Sequence, residues 1–186
     1  MADIKKTNPT ILLWLDLEMT GLAPATDRIV EVAAIATDWD FTALGTYESG
    51  VRQDESQLKE LFGANPWAAA RPAETQEMIA LSQRSPSEAE VQAAVVAFVN
   101  QYAGPGNVVL LAGNSIHQDR QFIRAWWPEL EARLHYRMLD VSAWKVVMQA
   151  KYGLEFPKKE THRALDDIRE SIDELKFYLE KGSFTV

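Results

Sequence analysis

The sequence predicts an α/β protein, a mixed β-sheet flanked by helices, and three observations lead there. First, three strand-like runs stand close together: 11–17 (ILLWLDL), 29–37 (IVEVAAIAT) and 41–51 (FTALGTYESGV). Second, two later stretches repeat apolar residues every three or four positions: Val91, Val95, Phe98, Val99 and Tyr102, then Ala164, Ile168, Ile172, Leu175 and Leu179. Each places one apolar stripe on a helix. Third, VVLLAG at 108–113 is a short, continuous apolar run of the kind that becomes a buried strand. Strands that open as a meander and then alternate with helices make a mixed sheet with helices packed on it.

The elements follow in order. Pro9 and Thr20-Gly21 bound the first strand, and Trp39-Asp40 turns the hairpin between the second and third. Residues 52–84 read as a helical excursion with loops, broken by NPW and ARP. Ser85-Pro86-Ser87-Glu88 is a capping signature, with Ser85 expected at the N-cap and an acid three residues on. Asn114–Ile116 forms a turn, 118–127 a helix stopped near Pro128, Leu139–Val141 a short strand or connection, and Ser142–Lys151 a helix. The last helix follows the charged loop PKKETH, where Thr161 is a candidate cap.

A chain of 186 residues, 47% apolar, is expected to fold as a single domain over 1–186, with residues 1–9 as a flexible N-terminal tail. It holds no cysteine. That excludes disulfides, cysteine-ligated zinc and thiol nucleophiles, and suits a reducing cytoplasm. The first nine residues resemble neither a secretory signal nor an arginine-rich transit peptide, and the apolar run after them is too short to span a membrane. The net charge of −8 argues against a basic groove gripping long nucleic acid. A short nucleic acid remains compatible, because bound cations reverse the local potential of an acidic pocket.

The chemistry is carried by acids in unusual places. Asp16 and Glu18 interrupt the first apolar run and, two apart on a strand, point to the same face. Adjacent carboxylates repel unless a cation joins them. The same spacing also fits a wetted edge, or pairing with arginine. Asp119 follows the buried run 108–113 through the polar turn Asn114–His117, the end of a strand where α/β proteins bind ligands. An acid in a first helical turn also has an ordinary role as a dipole partner. Asp166 and Asp167 open the last helix; Asp167 neighbours the packed side, but helical phase alone leaves the choice between them open. Three histidines occur: His117 in the polar turn, His135 among bulky residues, and His162 just ahead of the acid pair. There is no HExxH, GxSxG or phosphate-loop motif. An oxygen-ligand site suited to Mg2+ or Mn2+ is what the residues support.

Three segments in this order resemble a known pattern. WLDLEMTGL, AGNSIHQDRQF and HRALDDIRESI are similar to the three motifs of the oligoribonuclease family, in the DEDDh branch of 3'-to-5' exonucleases, which has a ribonuclease H-like fold. HYRMLDVS matches a further family segment, and the resemblance runs from Leu13 to about Tyr178. It implies that Asp16, Glu18, Asp119 and Asp167 hold two divalent cations, Mg2+ or Mn2+, and that His162 is the general base. It also implies that the substrate is short single-stranded RNA, down to dinucleotides, cut to nucleoside 5'-monophosphates by two-metal catalysis. The resemblance further implies a homodimer in which Tyr136 serves the partner's site, and a wedging role for Leu22 against the bases.

Ser115 and Gln118 are candidates for a terminal phosphate, with ordinary turn and helix-capping roles as the alternative. Trp126 and Trp127 read as core or dimer contacts, and Lys158 and Lys159 as a rim or solvated face. One stretch departs from the family. After Trp67, which the family shares, NPWAAARPAETQEMIAL lacks the family's histidine and SGL, and Arg71 is the candidate substitute on the substrate phosphate. The departure bears on length preference more than on the core chemistry. It keeps open a related exonuclease acting on longer RNA or on DNA; a non-catalytic nucleotide-binding scaffold would lack one of the ligands.

Overall fold

The computed structural model describes residues 9–157 and 164–182. Its centre is β1 (Leu12–Met19). Leu13, Leu15 and Leu17 enter one apolar core and Leu12 and Trp14 a second core on the opposite face, which is the two-residue alternation of a strand. A strand apolar on both faces must be covered on both. β2 (Ile29–Thr37) pairs antiparallel with β1, and β3 (Ala43–Gly50) antiparallel with β2. β4 (Val109–Gly113) and β5 (Leu134–Asp140) extend the other side in parallel, giving the order β3-β2-β1-β4-β5. The buried indole of Trp14 donates to the Thr37 hydroxyl at 3.0 Å, so the core carries no orphaned N–H there.

The helices close the faces. α4 (Glu88–Ala103) and α5 (His117–Trp126) complete the core below Leu13, Leu15 and Leu17, with Val95, Phe98, Phe122 and Ile123 buried. α7 (Val141–Tyr152) and α8 (Ala164–Lys181) cover the face of Leu12 and Trp14, through Val141, Ile168, Ile172 and Leu175. The stretch 52–84 is more regular than the sequence suggests. It forms α1 (Glu55–Gly63), α2 (Pro66–Ala70) and α3 (Pro72–Arg84), seated on Val30 through Leu58, Phe62 and Ala68. NPW and ARP start helices here, because proline is tolerated in a first turn. α6 (Pro128–Glu131) follows α5 in the same way. Among the described residues, no helix is long and apolar enough to cross a membrane.

Two expectations shift. The N-cap of α4 is Ser87 with Glu90 in a capping box, whereas Ser85 ends α3 and donates to the Leu81 carbonyl. Both serines carry an acid three residues later, and only backbone direction separates them. The short strand or connection expected at 139–141 is the end of a longer strand, β5, that takes in His135 and Tyr136, while Val141 already opens α7. His135 is buried and accepts from the Arg137 N–H at 3.2 Å. Trp127 is core and donates to Glu88, while Trp126 is part-buried, donates to the Pro24 carbonyl and carries the Arg28 guanidinium 4.0 Å above its ring. The expected tail, Lys158, Lys159, Thr161 and His162 lie outside the described residues, apart from Pro9 at the tail's end.

Candidate active site

Asp16 and Glu18 continue the face of β1 that begins with Leu12 and Trp14, the face under α8. α8 delivers Asp167 from its first turn. Carboxylate oxygens of Asp16, Glu18 and Asp167 lie within 4.8 Å of one another. The neighbouring Asp166 points outward and pairs with Arg169 at 2.9 Å, so the structure resolves the helical phase in favour of Asp167.

Asp119 arrives by a different route. The ladder between β1 and β4 stops at Trp14 opposite Ala112, and the chain then turns away into α5. The N–H of Leu17, left without a strand partner on that side, donates to Asp119 Oδ1 at 3.0 Å. One carboxylate oxygen thus completes the sheet edge and fixes the side chain beside Asp16. The site occupies the point where β1 pairs antiparallel on one side and parallel on the other, just past the end of the parallel ladder. A register shift between β1 and β2 falls between Glu18 and Met19, a placement typical of bulges beside functional sites.

The electrostatics are those of a crowded anionic pocket. Burial, reinforced by the charges of Asp119, Glu18 and Asp167, pushes the Asp16 carboxyl up to about 9. Burial and the charges of Glu31 and Asp167 push Glu18 to about 7. Asp119 also rises to about 7, chiefly through burial, although the Leu17 N–H pulls the other way. Oxygens assembled at this cost suit a hard divalent cation, which would satisfy the charge that burial penalises.

Glu31 belongs to this pocket and was passed over in the sequence. It stands directly opposite Glu18 in the β1–β2 register, where like charges destabilise a sheet. Its signal was legible: it is the only charge in IVEVAAIAT. It lines a cavity of about 750 Å³ together with Glu18, Glu74, Glu77 and Trp67. A second cavity, of about 650 Å³, is lined by Glu18, Leu22, Asn65 and Trp67. Leu22 and Trp67 thus line one cavity with Glu18. Arg71 lines neither cavity; its guanidinium lies over the Trp67 ring at 5.0 Å and meets Glu74 at 3.7 Å.

The other candidates line neither cavity. Gln118 donates its side-chain amide to the Leu22 carbonyl at 2.9 Å, so it braces the Leu22 loop. Ser115 is exposed, with a left-handed φ of 50°, a conformation that costs a non-glycine residue about 1 kcal/mol. It is held there because its N–H donates to Asp140 and to the Ser142 hydroxyl. The two serine hydroxyl oxygens are 3.1 Å apart. Tyr136 is exposed on the edge strand β5 and lines neither cavity of its own chain.

A buried polar chain ties these parts together, and sequence reading missed it. Glu174, fully buried on α8, accepts from Tyr178 Oη at 2.8 Å and from Asn114 Nδ2 at 3.1 Å. Asn114 also donates to Ser171 and accepts from Ser142. The signal was slight: an acid at position 174 beside Leu175 and one turn before Tyr178.

Residues 13–175 match the RNase T exonuclease family. An oligoribonuclease of Neisseria meningitidis is 41% identical over 173 residues, 91% of this chain and 90% of that protein. An oligoribonuclease of Thiobacillus denitrificans is 43% identical over 180 residues, 93% and 95% of the two chains. Among solved structures, E. coli exonuclease I in complex with a 5cy-dT13 oligonucleotide superposes with a TM-score of 0.67 at 17% identity, over 94% of this chain and 41% of that one. Its zinc-bound complex with single-stranded DNA gives 0.69 at 19% identity, over 92% and 41%. The chain spans about two-fifths of exonuclease I, and that likeness is one of fold.

Proposed function

Because the chain belongs to the oligoribonuclease family of exonucleases and has a ribonuclease H-like fold, we propose that it removes nucleotides from the 3' end of short RNA, down to dinucleotides, releasing nucleoside 5'-monophosphates. The observation that carries this reading is the meeting of Asp16, Glu18 and Asp167 oxygens within 4.8 Å, on a sheet edge completed by Asp119.

In this reading Asp16, Glu18, Asp119 and Asp167 hold two divalent cations, Mg2+ or Mn2+. When bound, such ions supply positive charge to the phosphoryl oxygens and acidify a bound water. The donor set fits them, being all hard oxygen. β1 presents Asp16 and Glu18 on one rigid face, and α8 brings Asp167 over them. Asp119 keeps one oxygen on the Leu17 N–H and has the other for a cation. His162 takes the proton of the attacking water, since imidazole titrates near neutrality; it lies just before α8, outside the described residues. Leu22 and Trp67 border the bases, and the exposed Ser115 hydroxyl is the donor to a terminal phosphate. Arg71, stacked on Trp67, adds a cation near the rim.

The test is a side-by-side rate comparison on RNA and DNA of two, five and twenty nucleotides. The dinucleotide RNA is expected to exceed the twenty-nucleotide RNA by at least about tenfold in kcat/KM, a difference of 1.4 kcal/mol. Equal rates at every length would favour the second reading, an exonuclease for longer RNA or for DNA, which the altered stretch after Trp67 supports.

We also propose that the whole chain acts as one catalytic domain, in a cysteine-free cytoplasmic enzyme that works as a homodimer. Tyr136 supports the dimer. It is 55% exposed on an edge strand and faces neither cavity of its own chain, so it is available to a second copy. Sedimentation at micromolar concentration is expected to give twice the 21.0 kDa chain mass. A fully active monomer would remove Tyr136 from the site.

A further inference from the structure

We propose that Asn65 is a positioning residue that sets the gap between Leu22 and Trp67, and through it the grip on substrate bases. The inference deepens the functional reading above and rests on it.

The observation behind it is an exposed leucine that is held still. Leu22 is 74% exposed, at the tip of a loop between β1 and β2. A single exposed leucine is ordinary; the bracing around this one is not. Asp27 closes a ring beneath it, accepting from the Thr20 hydroxyl on Oδ1 and from the Ala23 N–H on Oδ2, both at 2.9 Å. Gly21 lies so close to that carboxylate that a Cβ would fall 2.5 Å from Asp27 Oδ2. From the other side Gln118 holds the Leu22 carbonyl at 2.9 Å. Three polar side chains therefore fix the direction in which an apolar one projects.

Asn65 joins this loop to Trp67. Its Nδ2 donates to the Thr20 carbonyl at 2.8 Å, while its Oδ1 accepts from the Trp67 N–H at 2.9 Å as the N-cap of α2. One amide thus ties both walls of the 650 Å³ cavity that opens on Glu18. A base has an apolar face and tolerates stacking on any flat or apolar surface, so the spacing of two such walls decides how well it is held. The bond from Nδ2 to Thr20 contributes nothing to the helix cap, so it can be removed separately.

Asn65→Ser makes that separation. Serine keeps the neutral capping oxygen, and its hydroxyl is too short to reach Thr20. The KM for an RNA dinucleotide is expected to rise about five- to tenfold, with kcat within about twofold. The inhibition constant of an abasic dinucleotide, which offers the same backbone and no base, is expected to stay unchanged. Should the serine variant fail to fold, Asn65→Asp keeps the shape and the cap but loses the donor, and its KM relative to the abasic inhibition constant reports the same effect. Leu22→Ala and Trp67→Ala provide the reference.

If those two raise the dinucleotide KM and the Asn65 variant does not, the tie between the walls is overturned and the base-binding reading stands. If all three leave it unchanged, the base-binding reading itself fails. An equal loss for the dinucleotide and its abasic counterpart would assign Asn65 to folding alone and overturn the proposal.

Discussion

An Asp16→Asn protein is expected to lose hydrolysis of a dinucleotide by at least about a hundred- to a thousandfold, and to melt at a higher temperature than its parent when both are free of metal. The two effects share one cause. Asp16 sits where burial and the charges of Asp119, Glu18 and Asp167 all oppose its ionisation. The neutral amide keeps the shape and removes the repulsion, but it cannot serve as an anionic cation ligand. Each kcal/mol of repulsion removed is worth about 2–4 °C in a chain of this size. Turnover assays and melts in chelator check the pair. Full metal-dependent turnover in the variant would overturn the assignment of Asp16. Asp166→Asn is the natural control, because its exposed pairing with Arg169 is the kind worth little, and both activity and melting are expected to stay near parental values.

Stability of the metal-free protein is expected to fall as pH rises from about 5 to 9, and divalent cations are expected to rescue it increasingly over that range. Ordinary carboxyls titrate near 4 in an unfolded chain. In the folded protein Glu18 and Asp119 are raised to about 7 and Asp16 to about 9. Folded protein therefore binds more protons than unfolded protein across this window. The stability these groups contribute is fully present below pH 4 and is lost as pH climbs through 7 and then 9. Cations bind the deprotonated oxygens, so the melting-temperature gain from Mg2+ or Mn2+ grows with pH. Melts at pH 5.5, 7 and 8.5, with chelator or with cation, measure it. A gain equal at all three values would mean that the cations bind elsewhere.

What could be read in advance followed local rules. The alternation of β1, the pair Asp16 and Glu18 on one face, and the stripe on α8 as far as Leu175 need only the periods of a strand and a helix, whereas Tyr178 rather than Leu179 ends the buried side. The placement of Asp119 was half visible: the turn after β4 pointed to it, but its bond to the Leu17 N–H depends on where the β1–β4 ladder stops. The helices of 52–84 were blurred because NPW and ARP are breakers in one context and helix starts in another. Ser85 and Ser87 have the same local pattern, and the backbone chose the second. Asn65 and Glu174 act through partners 45 and 60 residues distant, and no local window of sequence contains both members of such a pair.

Glu174 has a consequence for the helix that carries the site. It lies seven residues beyond Asp167, almost two turns at 3.6 residues per turn, so the two carboxylates share one side of α8. With one end of that side anchored to Asn114 through Glu174 and Ser171, the helix cannot roll about its own axis without breaking those cross-element bonds. A roll of one residue would exchange Asp167 for Asp166 over β1. The distant anchor acts as the key in a shaft, and the angular setting of the cation cage is decided about 10 Å from the cage itself.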